Sequence, residues 1–546
     1  MWEESIRELE NKRAKIKIGG GTDKIERQHR NGKLTARERL ELLFDKDSFV
    51  EIDNMIESRI EDFDLKSKRV MGDGVVTGYG EVEGRLTFAY AEDFTVMGGT
   101  LGEYHSLKIC HLQDMAYNMK APIIMINDSG GARIEEGISS LSGYSGIFYR
   151  NTKASGVIPQ IAVILGPCSG GACYSPAICD FILIVRNIGK MFITGPQVVK
   201  TVIGEEVSLE ELGGASVHEI KSGVTHFTYE DEEQCLLGVK KLLSYLPSSY
   251  EEKPTVFMNR NSENQEIKKG ASMLLGKVFG KFTPHVQESI NEKQLDRSSE
   301  LIKIVPDNSK KPYDVKSVIE CVTDNDSFFE VQSGFAKNAV IGFARMEGAV
   351  IGIVANQPLY MAGSLDCDAA DKIARFIRTC DCFNIPLITL VDVPAFYPGI
   401  NQEHKGIIRH GAKILYAYSE ATVPKISLIM RKAYGGAYIA MNSMNMGADI
   451  VYAWPIAEIA VMGAEGATNI AFKKQIAEAP DPKALKDRLA TEYTEKFMNP
   501  YVAAARGFIT EVIKPQETRE SLLSALKVLK NKSMERPNKK HGNMPL

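Results

Sequence analysis

Two glycine-rich stretches decide the fold of this chain: Gly166-Pro167-Cys168-Ser169-Gly170-Gly171-Ala172 and Arg431-Lys432-Ala433-Tyr434-Gly435-Gly436-Ala437. Each follows an apolar, strand-like run (residues 161–165 and 426–430) and precedes an apolar segment that can form a helix. A strand, Gly-Gly-Ala and a helix in this order leave backbone N–H groups unpaired at the helix start. Because the positive end of the helix dipole adds to them, the pattern predicts two sites for an anion or a developing oxyanion.

The surroundings of the two stretches repeat along the chain. Strand-like runs at 86–91, 122–126, 160–165 and 181–185 recur at 350–355, 386–391, 425–430 and 450–453, with helical patterns at 103–120 and 368–383. Asp128 and Asp392 lie 264 residues apart (392 − 128), as do Gly99 and Gly363, and the two Gly-Gly-Ala stretches lie 265 apart (435 − 170). Strands alternating with helices in two copies predict an α/β fold with two tandem domains that arose by internal duplication.

The domain boundary is expected in the polar segment 248–269, which gives domains 1–255 and 256–546. Two domains also suit a chain of 546 residues, because single hydrophobic cores stop growing near roughly 250–300 residues.

Further loops follow the strands of each half. Met97-Gly98-Gly99-Thr100 and Met361-Ala362-Gly363-Ser364 could each supply a second amide to an oxyanion site, or be simple turns. Asp128-Ser129-Gly130-Gly131-Ala132-Arg133 could shape a pocket or bind phosphate, although an aspartate at a turn is more often a local cap. A single Gly-Gly-Ala is also more often a packing contact than an anion site, and only the duplication favours the functional interpretation.

Composition excludes several classes of protein. The 66 basic and 70 acidic side chains leave a net charge of -4, which argues against a dedicated nucleic-acid surface. The nine cysteines include no Cys-x-x-Cys pair and the nine histidines show no ligand spacing, so no metal site is expected. The sequence shows no apolar run of roughly 20 residues and no secretory signal, so we expect a cytoplasmic protein with no membrane insertion. Ser129 has no histidine–aspartate partners nearby in sequence, which argues against a serine hydrolase.

From about Arg13 to Leu546 the chain resembles the carboxyltransferase (β) subunits of biotin-dependent acyl-CoA carboxylases, of the propionyl-CoA carboxylase type. The two strand–Gly-Gly-Ala–helix units resemble the crotonase-type (ClpP/crotonase) superfamily. Besides the stretches above, the motifs that carry the resemblance are Gly32-Lys33-Leu34-Thr35-Ala36-Arg37-Glu38-Arg39, Gly72-Asp73-Gly74-Val75-Val76-Thr77-Gly78, Ile407-Ile408-Arg409-His410-Gly411-Ala412-Lys413 and Lys539-Lys540-His541-Gly542-Asn543.

The resemblance implies a role for each glycine turn. Gly170, Gly171 and Ala172 would hold the thioester of an acyl-CoA in the first domain, and Gly435, Gly436 and Ala437 would hold carboxybiotin in the second. Together with the loops described above, this gives the following expected substrate-binding residues: Gly98, Gly99, Gly130, Gly131, Ala132, Gly363, Tyr438 and Ile439. Biotin would arrive on a biotin carboxyl carrier protein loaded by a biotin carboxylase subunit, coenzyme A would be part of the substrate, and the chain would form homohexamers.

Two departures from the family pattern leave the acyl group open. Ile439 stands where many propionyl-CoA carboxylases have aspartate, and Val391-Asp392-Val393-Pro394-Ala395-Phe396-Tyr397 departs from the usual sequence at Ala395 and Tyr397. Propionyl-CoA and acetyl-CoA are the expected substrates. The alternatives are the α subunit of a biotin-dependent decarboxylase or transcarboxylase, acting on methylmalonyl-CoA or glutaconyl-CoA, and a non-catalytic assembly scaffold.

Overall fold

The computed structural model describes residues 1–59, 61, 65–256 and 297–546. The described residues form two units. The first contains Met1–His218 and Phe227–Glu251, and the second contains Glu219–His226, Glu252–Thr255 and residues 297–546. The predicted boundary at 255/256 lies next to residues 257–296, which are outside the described residues. Most of the polar segment 248–269 falls within that part of the chain, so the boundary stays a prediction.

The first unit is built on an eight-stranded sheet with the order β1-β2-β3-β4-β5-β6-β8, in which β7 pairs with β5. Strands β1 to β3 are antiparallel, and the pairs from β3 onward are parallel. The strands are β1 Val50–Ile52, β2 Val75–Val82, β3 Arg85–Glu92, β4 Ile123–Ser129, β5 Gln160–Ser169, β6 Phe181–Val185, β7 Lys190–Phe192 and β8 Phe227–Tyr229.

The second unit has the corresponding sheet order, β9-β10-β11-β12-β13-β14-β16, with β15 paired to β13. Its strands are β9 Phe329–Val331, β10 Ala339–Met346, β11 Ala349–Asn356, β12 Leu387–Val393, β13 Lys425–Tyr434, β14 Ile450–Ala453, β15 Glu458–Ala460 and β16 Glu511–Val512. The central strands β4 and β12 are buried along their whole length, as expected for parallel strands covered on both faces.

Helices cover the sheets and precede the first strand of each unit. In the first unit they are Trp2–Lys17, Thr22–Arg30, Ala36–Leu43, Leu65–Lys68, Glu103–Met119, Ile138–Ala154, Tyr174–Ile178, Pro196–Ile203, Leu209–Gly213, Ala215–Val217 and Glu232–Leu243. In the second unit they are Leu301–Ile304, Val315–Val322, Cys367–Cys382, Ile400–Lys405, Ile407–Glu420, Gly435–Ala440, Ala464–Ala471, Lys473–Ala477, Pro482–Phe497, Pro500–Ala505 and Thr518–Leu529. Thr35 caps the helix Ala36–Leu43 in a capping box with Glu38.

The duplication extends to the pairing register of the strands. Val75 lies opposite Glu92 in the first hairpin, and Ala339 lies opposite Asn356, each 264 residues later, in the second. Ile123 pairs with Gln160, whereas Leu387 pairs with Lys425, so the offset has grown to 265 by the fifth strand. The second half therefore carries one extra residue between these two strands.

A pair of buried lysines repeats the duplication at side-chain level. Lys108 Nζ donates to Gly72 O at 2.9 Å and also to Val75 O. Lys372 Nζ donates to the carbonyl oxygens 264 residues further on, those of Ala336 and Ala339, at 3.4 and 2.8 Å. It also donates to Gln332 O and Phe335 O, at 3.0 and 2.7 Å. In each half a helix is thus fastened to the turn that precedes the first long strand.

Candidate active site

The first glycine turn follows strand β5 directly. Ser169 ends the strand, Gly170 has φ +61°, and a short 3-10 turn, Gly170–Cys173, leads into the helix Tyr174–Ile178. Glycine is required at 170 because this backbone conformation crowds a Cβ. At Gly171 a Cβ would lie 3.1 Å from the ring of Tyr144, so this turn rests on an aromatic side chain. The first N–H groups of such a turn have no acceptor within it and can bind an oxyanion.

The second glycine turn has the same construction and more space. Strand β13 ends at Tyr434, Gly435 has φ +57°, and the helix Gly435–Ala440 begins at once. A Cβ at Gly435 would lie 2.9 Å from the Val461 carbonyl oxygen, whereas a Cβ at Gly436 would meet nothing within 4 Å. Gly436 is exposed, so the space over its N–H group is open.

Tyr438 and Ile439 lie one turn further along this helix. Burial raises the pKa of Tyr438, and the side chain of Ile439 is 45% exposed. An exposed apolar side chain three residues after the free N–H of Gly436 can contact a ligand held there.

In the first unit, three loops meet beside the glycine turn. Gly99 has φ +63°, and a Cβ there would lie 2.2 Å from the Asp128 carbonyl oxygen. Gly130 N donates to Gly98 O at 3.0 Å, and a parallel bridge joins Leu101 to Ala132. Ser169 Oγ donates to Gly130 O at 2.8 Å, and a Cβ at Gly131 would lie 2.9 Å from Ser169 O. The structure therefore brings Gly98, Gly99, Gly130, Gly131 and Ala132 next to the Gly170–Ala172 turn.

In the second unit, the Gly363 loop lies against the end of strand β12. Gly363 has φ +82°, and a Cβ there would lie 2.6 Å from the Asp392 carbonyl oxygen. Leu365 N donates to Ala395 O at 3.1 Å, and Tyr397 N donates to Leu365 O at 2.8 Å. The backbone of the two unusual residues, Ala395 and Tyr397, thus forms the edge of this loop.

Asp128 is the centre of a buried ion-pair network and not the local cap that its position in a turn suggests. Its carboxylate accepts from Lys33 Nζ at 2.7 Å and Arg39 Nη1 at 2.9 Å, and Asp128 and Arg39 are fully buried. Arg39 also binds Glu232. Glu92 Oε2 accepts from Asp128 N at 2.9 Å, and burial raises the pKa of Glu92 to about 8. Glu92 is therefore mainly a neutral acid at pH 7, since its charged form is not compensated.

Asp392 takes the same place in the second unit with a different partner. Arg431 Nε donates to Asp392 Oδ2 at 2.9 Å, and Lys432 Nζ lies 3.7 Å from Oδ1. Asn356 Oδ1 accepts from Asp392 N at 3.2 Å, as Glu92 does in the first unit. The counterpart of Arg431 is Gly166, where a Cβ would lie 1.9 Å from Asp128 Oδ1. Each buried aspartate is thus neutralised, in one unit by the N-terminal segment and in the other by the strand itself.

A cavity of about 650 Å³ is lined in part by Gly130 and Ala132, which belong to the loop that Ser169 Oγ contacts. Met97, Gly130 and Ala132 belong to its lining, together with four basic side chains, Lys24, Lys68, Arg69 and Arg133, and one acidic side chain, Glu135. Arg133 is tied to Asp73 at 2.8 Å and Glu136 at 2.6 Å. Sequence reasoning did not single out Lys24, Lys68 and Arg69, because nothing in the linear pattern places residues before strand β2 next to a turn a hundred residues later.

Metal and membrane features are not found among the residues that the structure describes. In that part of the chain, no group of three or more histidine, cysteine, aspartate or glutamate side chains is placed to hold a metal ion. None of the described helices combines the length and the apolar character that a membrane crossing requires.

Comparison with known proteins agrees with this geometry. The model of the carboxyl transferase domain family matches residues 27–285 and again 280–544. A propionyl-CoA carboxylase carboxyltransferase subunit from Haloferax mediterranei is 51% identical, with 100% of this chain and 99% of the relative covered. A methylmalonyl-CoA decarboxylase subunit alpha from Veillonella parvula is 52% identical, again with 100% and 99% covered.

A solved structure is equally similar. Transcarboxylase 12S, crystallised as a hexamer with methylmalonyl-coenzyme A and methylmalonic acid bound, superimposes with a TM-score of 0.91 at 48% identity, covering 100% of this chain and 99% of that one. The predicted fold of two tandem crotonase-like α/β domains and the predicted enzyme class are confirmed. With two consecutive matches that span almost its whole length, the chain belongs to the carboxyl transferase domain family.

Proposed function

We propose that this chain moves a carboxyl group between carboxybiotin, on a carrier protein, and the α carbon of a short-chain acyl-CoA. The observation that carries the proposal is the repeated turn: Gly170–Ala172 and Gly435–Ala437 follow corresponding strands, and each presents free N–H groups at a helix start. Carboxyl transfer passes through two oxyanions, one on each substrate, and so needs two such sites.

We assign the acyl-CoA to the first unit. The cavity of about 650 Å³ contains Gly130, which accepts from Ser169 Oγ, and it has four basic side chains in its lining, which suits a phosphate-bearing ligand. Lys24, Lys68 and Arg69 would bind the phosphates of coenzyme A, with Gly98, Gly99, Gly130, Gly131 and Ala132 beside the thioester. We assign the biotin to the second unit, with Gly363, Tyr438 and Ile439 around its turn.

The chemistry follows from these assignments. Carboxybiotin supplies CO2 and then the base that takes the α proton of the acyl group. The N–H groups at Gly170–Ala172 would donate to the thioester oxygen as it becomes an enolate, and those at Gly435–Ala437 would donate to the ureido oxygen. No side-chain nucleophile is required, because both charges develop on oxygens that face backbone amides.

The direction of net reaction depends on partner subunits. Relatives at 51% and 52% identity are named for propionyl-CoA carboxylation and for methylmalonyl-CoA decarboxylation. A carboxylase subunit that acts with a biotin carboxylase and a biotin carboxyl carrier protein is the first candidate, with propionyl-CoA as substrate and acetyl-CoA as the other expected one. The decarboxylase α subunit is the second, because both run the same half-reaction.

Further proposals concern assembly, domains and location. The hexameric assembly of the 48% identical transcarboxylase 12S supports a homohexamer, and the repeated sheets support domains 1–255 and 256–546. The nine cysteines are free thiols in the structure, which suits the cytoplasm.

The test is carboxyl transfer from methylmalonyl-CoA to free biotin by the purified full-length chain, followed as propionyl-CoA formation. A panel of malonyl-, methylmalonyl-, ethylmalonyl- and glutaconyl-CoA would define which acyl group the chain accepts. Release of acyl-CoA that does not depend on biotin, or no turnover with any member of the panel, would contradict the proposal. Co-purification with a biotin carboxylase or with a membrane subunit would separate the two candidates.

A further inference from the structure

The residue before each glycine pair differs between the two halves. Ser169 precedes Gly170, and its hydroxyl donates to the Gly130 carbonyl oxygen at 2.8 Å. Tyr434 precedes Gly435, and its phenol donates to the carboxylate of Glu458. Both side chains are partly exposed at the end of a strand, so each can be changed without opening a core.

Strand pairing places Glu458 in reach of Tyr434. Strands β13 and β15 are parallel, with Lys432 opposite Glu458 and Tyr434 opposite Ala460, so the glutamate side chain extends two residues along the strand to the phenol. A Cβ at Gly463 would lie 3.5 Å from the Tyr434 ring. Residues 458–463 therefore hold the second turn at three points: Glu458 accepts from the phenol, Gly463 packs against the phenol ring, and the Val461 carbonyl oxygen lies against Gly435.

The first unit has no equivalent of this pair. Pro167 is the counterpart of Lys432, and the residue opposite it on strand β7 is Lys190, which lies 3.5 Å from Glu210. Both members of the pair have therefore diverged between halves whose sheet order and register are otherwise the same. Such divergence is expected for a feature that only one of the two ligands needs.

Protonation favours a permanent hydrogen bond here. Burial, followed by the contact with Glu458, raises the pKa of Tyr434, so the phenol stays protonated and donates at every pH at which the protein is active.

We infer that Tyr434 and Glu458 are positioning residues for the biotin-side turn: their hydrogen bond holds the N–H groups of Gly435–Ala437 in the orientation that the ureido ring requires. The inference rests on the proposed function. Ser169 has the corresponding place beside the turn that we assign to acyl-CoA.

Steady-state carboxyl transfer from methylmalonyl-CoA to free biotin tests the inference on the full-length chain. Tyr434→Phe keeps the ring and removes the donor, and we expect kcat/KM for biotin to fall about tenfold, with KM for methylmalonyl-CoA within about twofold of wild type. Ser169→Ala is the matched control in the other half and should raise KM for methylmalonyl-CoA while leaving that for biotin unchanged.

Two further variants separate positioning from general damage. Glu458→Gln keeps an acceptor for the phenol and should retain more activity than Glu458→Ala. The double variant Tyr434→Phe/Glu458→Ala should be no worse than either single variant, because both remove the same bond. The inference would be overturned if Tyr434→Phe raised KM equally for both substrates, or if it left the biotin kinetics at the wild-type level. It would also be overturned if the losses of kcat/KM in the two single variants added up in the double variant. If the wild-type protein showed no biotin-dependent carboxyl transfer, the proposed function itself would be refuted.

Discussion

Replacing Gly436 with valine should destroy function without harming the fold. Gly436 lies in the first turn of a helix, has no positive φ, and a Cβ there meets nothing within 4 Å. Glycine costs a helix about 1 kcal/mol relative to alanine, and valine recovers part of that. We therefore expect the free energy of unfolding to stay within about 1 kcal/mol of wild type.

The functional loss should be much larger. The new side chain would occupy the open space over the N–H group and keep an oxyanion at a distance. Removal of one oxyanion donor costs about 100- to 1000-fold in kcat, which is about 3–4 kcal/mol of transition-state stabilisation. Because the first unit is untouched, the dissociation constant for propionyl-CoA should not change.

Three measurements check this expectation: urea unfolding, calorimetric titration with propionyl-CoA, and biotin-dependent turnover of methylmalonyl-CoA. Gly435→Val is the matched control, because φ +57° and the Val461 carbonyl oxygen at 2.9 Å should make that variant clearly less stable. If Gly436→Val bound propionyl-CoA poorly and still transferred carboxyl groups to biotin, our assignment of the two halves would be reversed.

The remaining predictions concern buried charges. Lys372→Met removes a buried amine donor with three backbone acceptors within 3.0 Å, and the free energy of unfolding in urea should fall by about 3 kcal/mol; a loss below about 1 kcal/mol would refute this. Arg431→Met leaves Asp392 buried without its guanidinium and should lower the free energy of unfolding by about 3–5 kcal/mol in the same assay. Folding raises the pKa of Glu92 from 4.5 to about 8, so between these two pH values the folded state holds a proton that the unfolded state has released. The contribution of Glu92 to the free energy of unfolding is therefore lost as pH rises from 4.5 through 8. Glu92→Gln should remove up to about 1.4 kcal/mol per pH unit of that slope, and an unchanged pH profile of unfolding would show that Glu92 is ionised in the folded state.

Much of the fold could be predicted because short apolar runs and glycine-rich turns are local sequence patterns that indicate strands and the loops between them. The eight expected strand segments correspond to β3 to β6 and β11 to β14. The expected helix 103–120 differs from the observed one by one residue at its C-terminus, and the expected helix 368–383 is shifted by one residue at both ends. A short apolar run between two glycine-rich turns has few alternatives to a buried strand. The same run in the second copy is an independent check of each strand assignment. The antiparallel strands β2 and β10 were not predicted, since Gly78, Gly80 and Gly342 interrupt their apolar pattern.

The site could be predicted only where it is built from backbone groups. Glycine turns are visible because φ and close approach restrict the residue type, as at Gly99 and Gly170. The contacts of Asp128 with Lys33 and of Arg431 with Asp392 join residues that the pattern does not connect. Side chains that reach across the fold leave no period or spacing in a single sequence.

The different origins of the cations at Asp128 and Asp392 have a consequence for dissecting the chain. A fragment that begins at strand β1 would lack Lys33 and Arg39, and would bury a bare carboxylate beneath its glycine turn. A fragment of the second half carries Arg431 on strand β13, and it must also keep the segment 306–311, because Arg431 Nη1 donates to the carbonyl oxygens of Pro306, Asn308 and Lys311. Any attempt to express the halves separately should therefore keep the first forty residues with the first half. The cations that face the buried aspartate thus come from a segment before the first strand in one copy and from a strand of the sheet in the other.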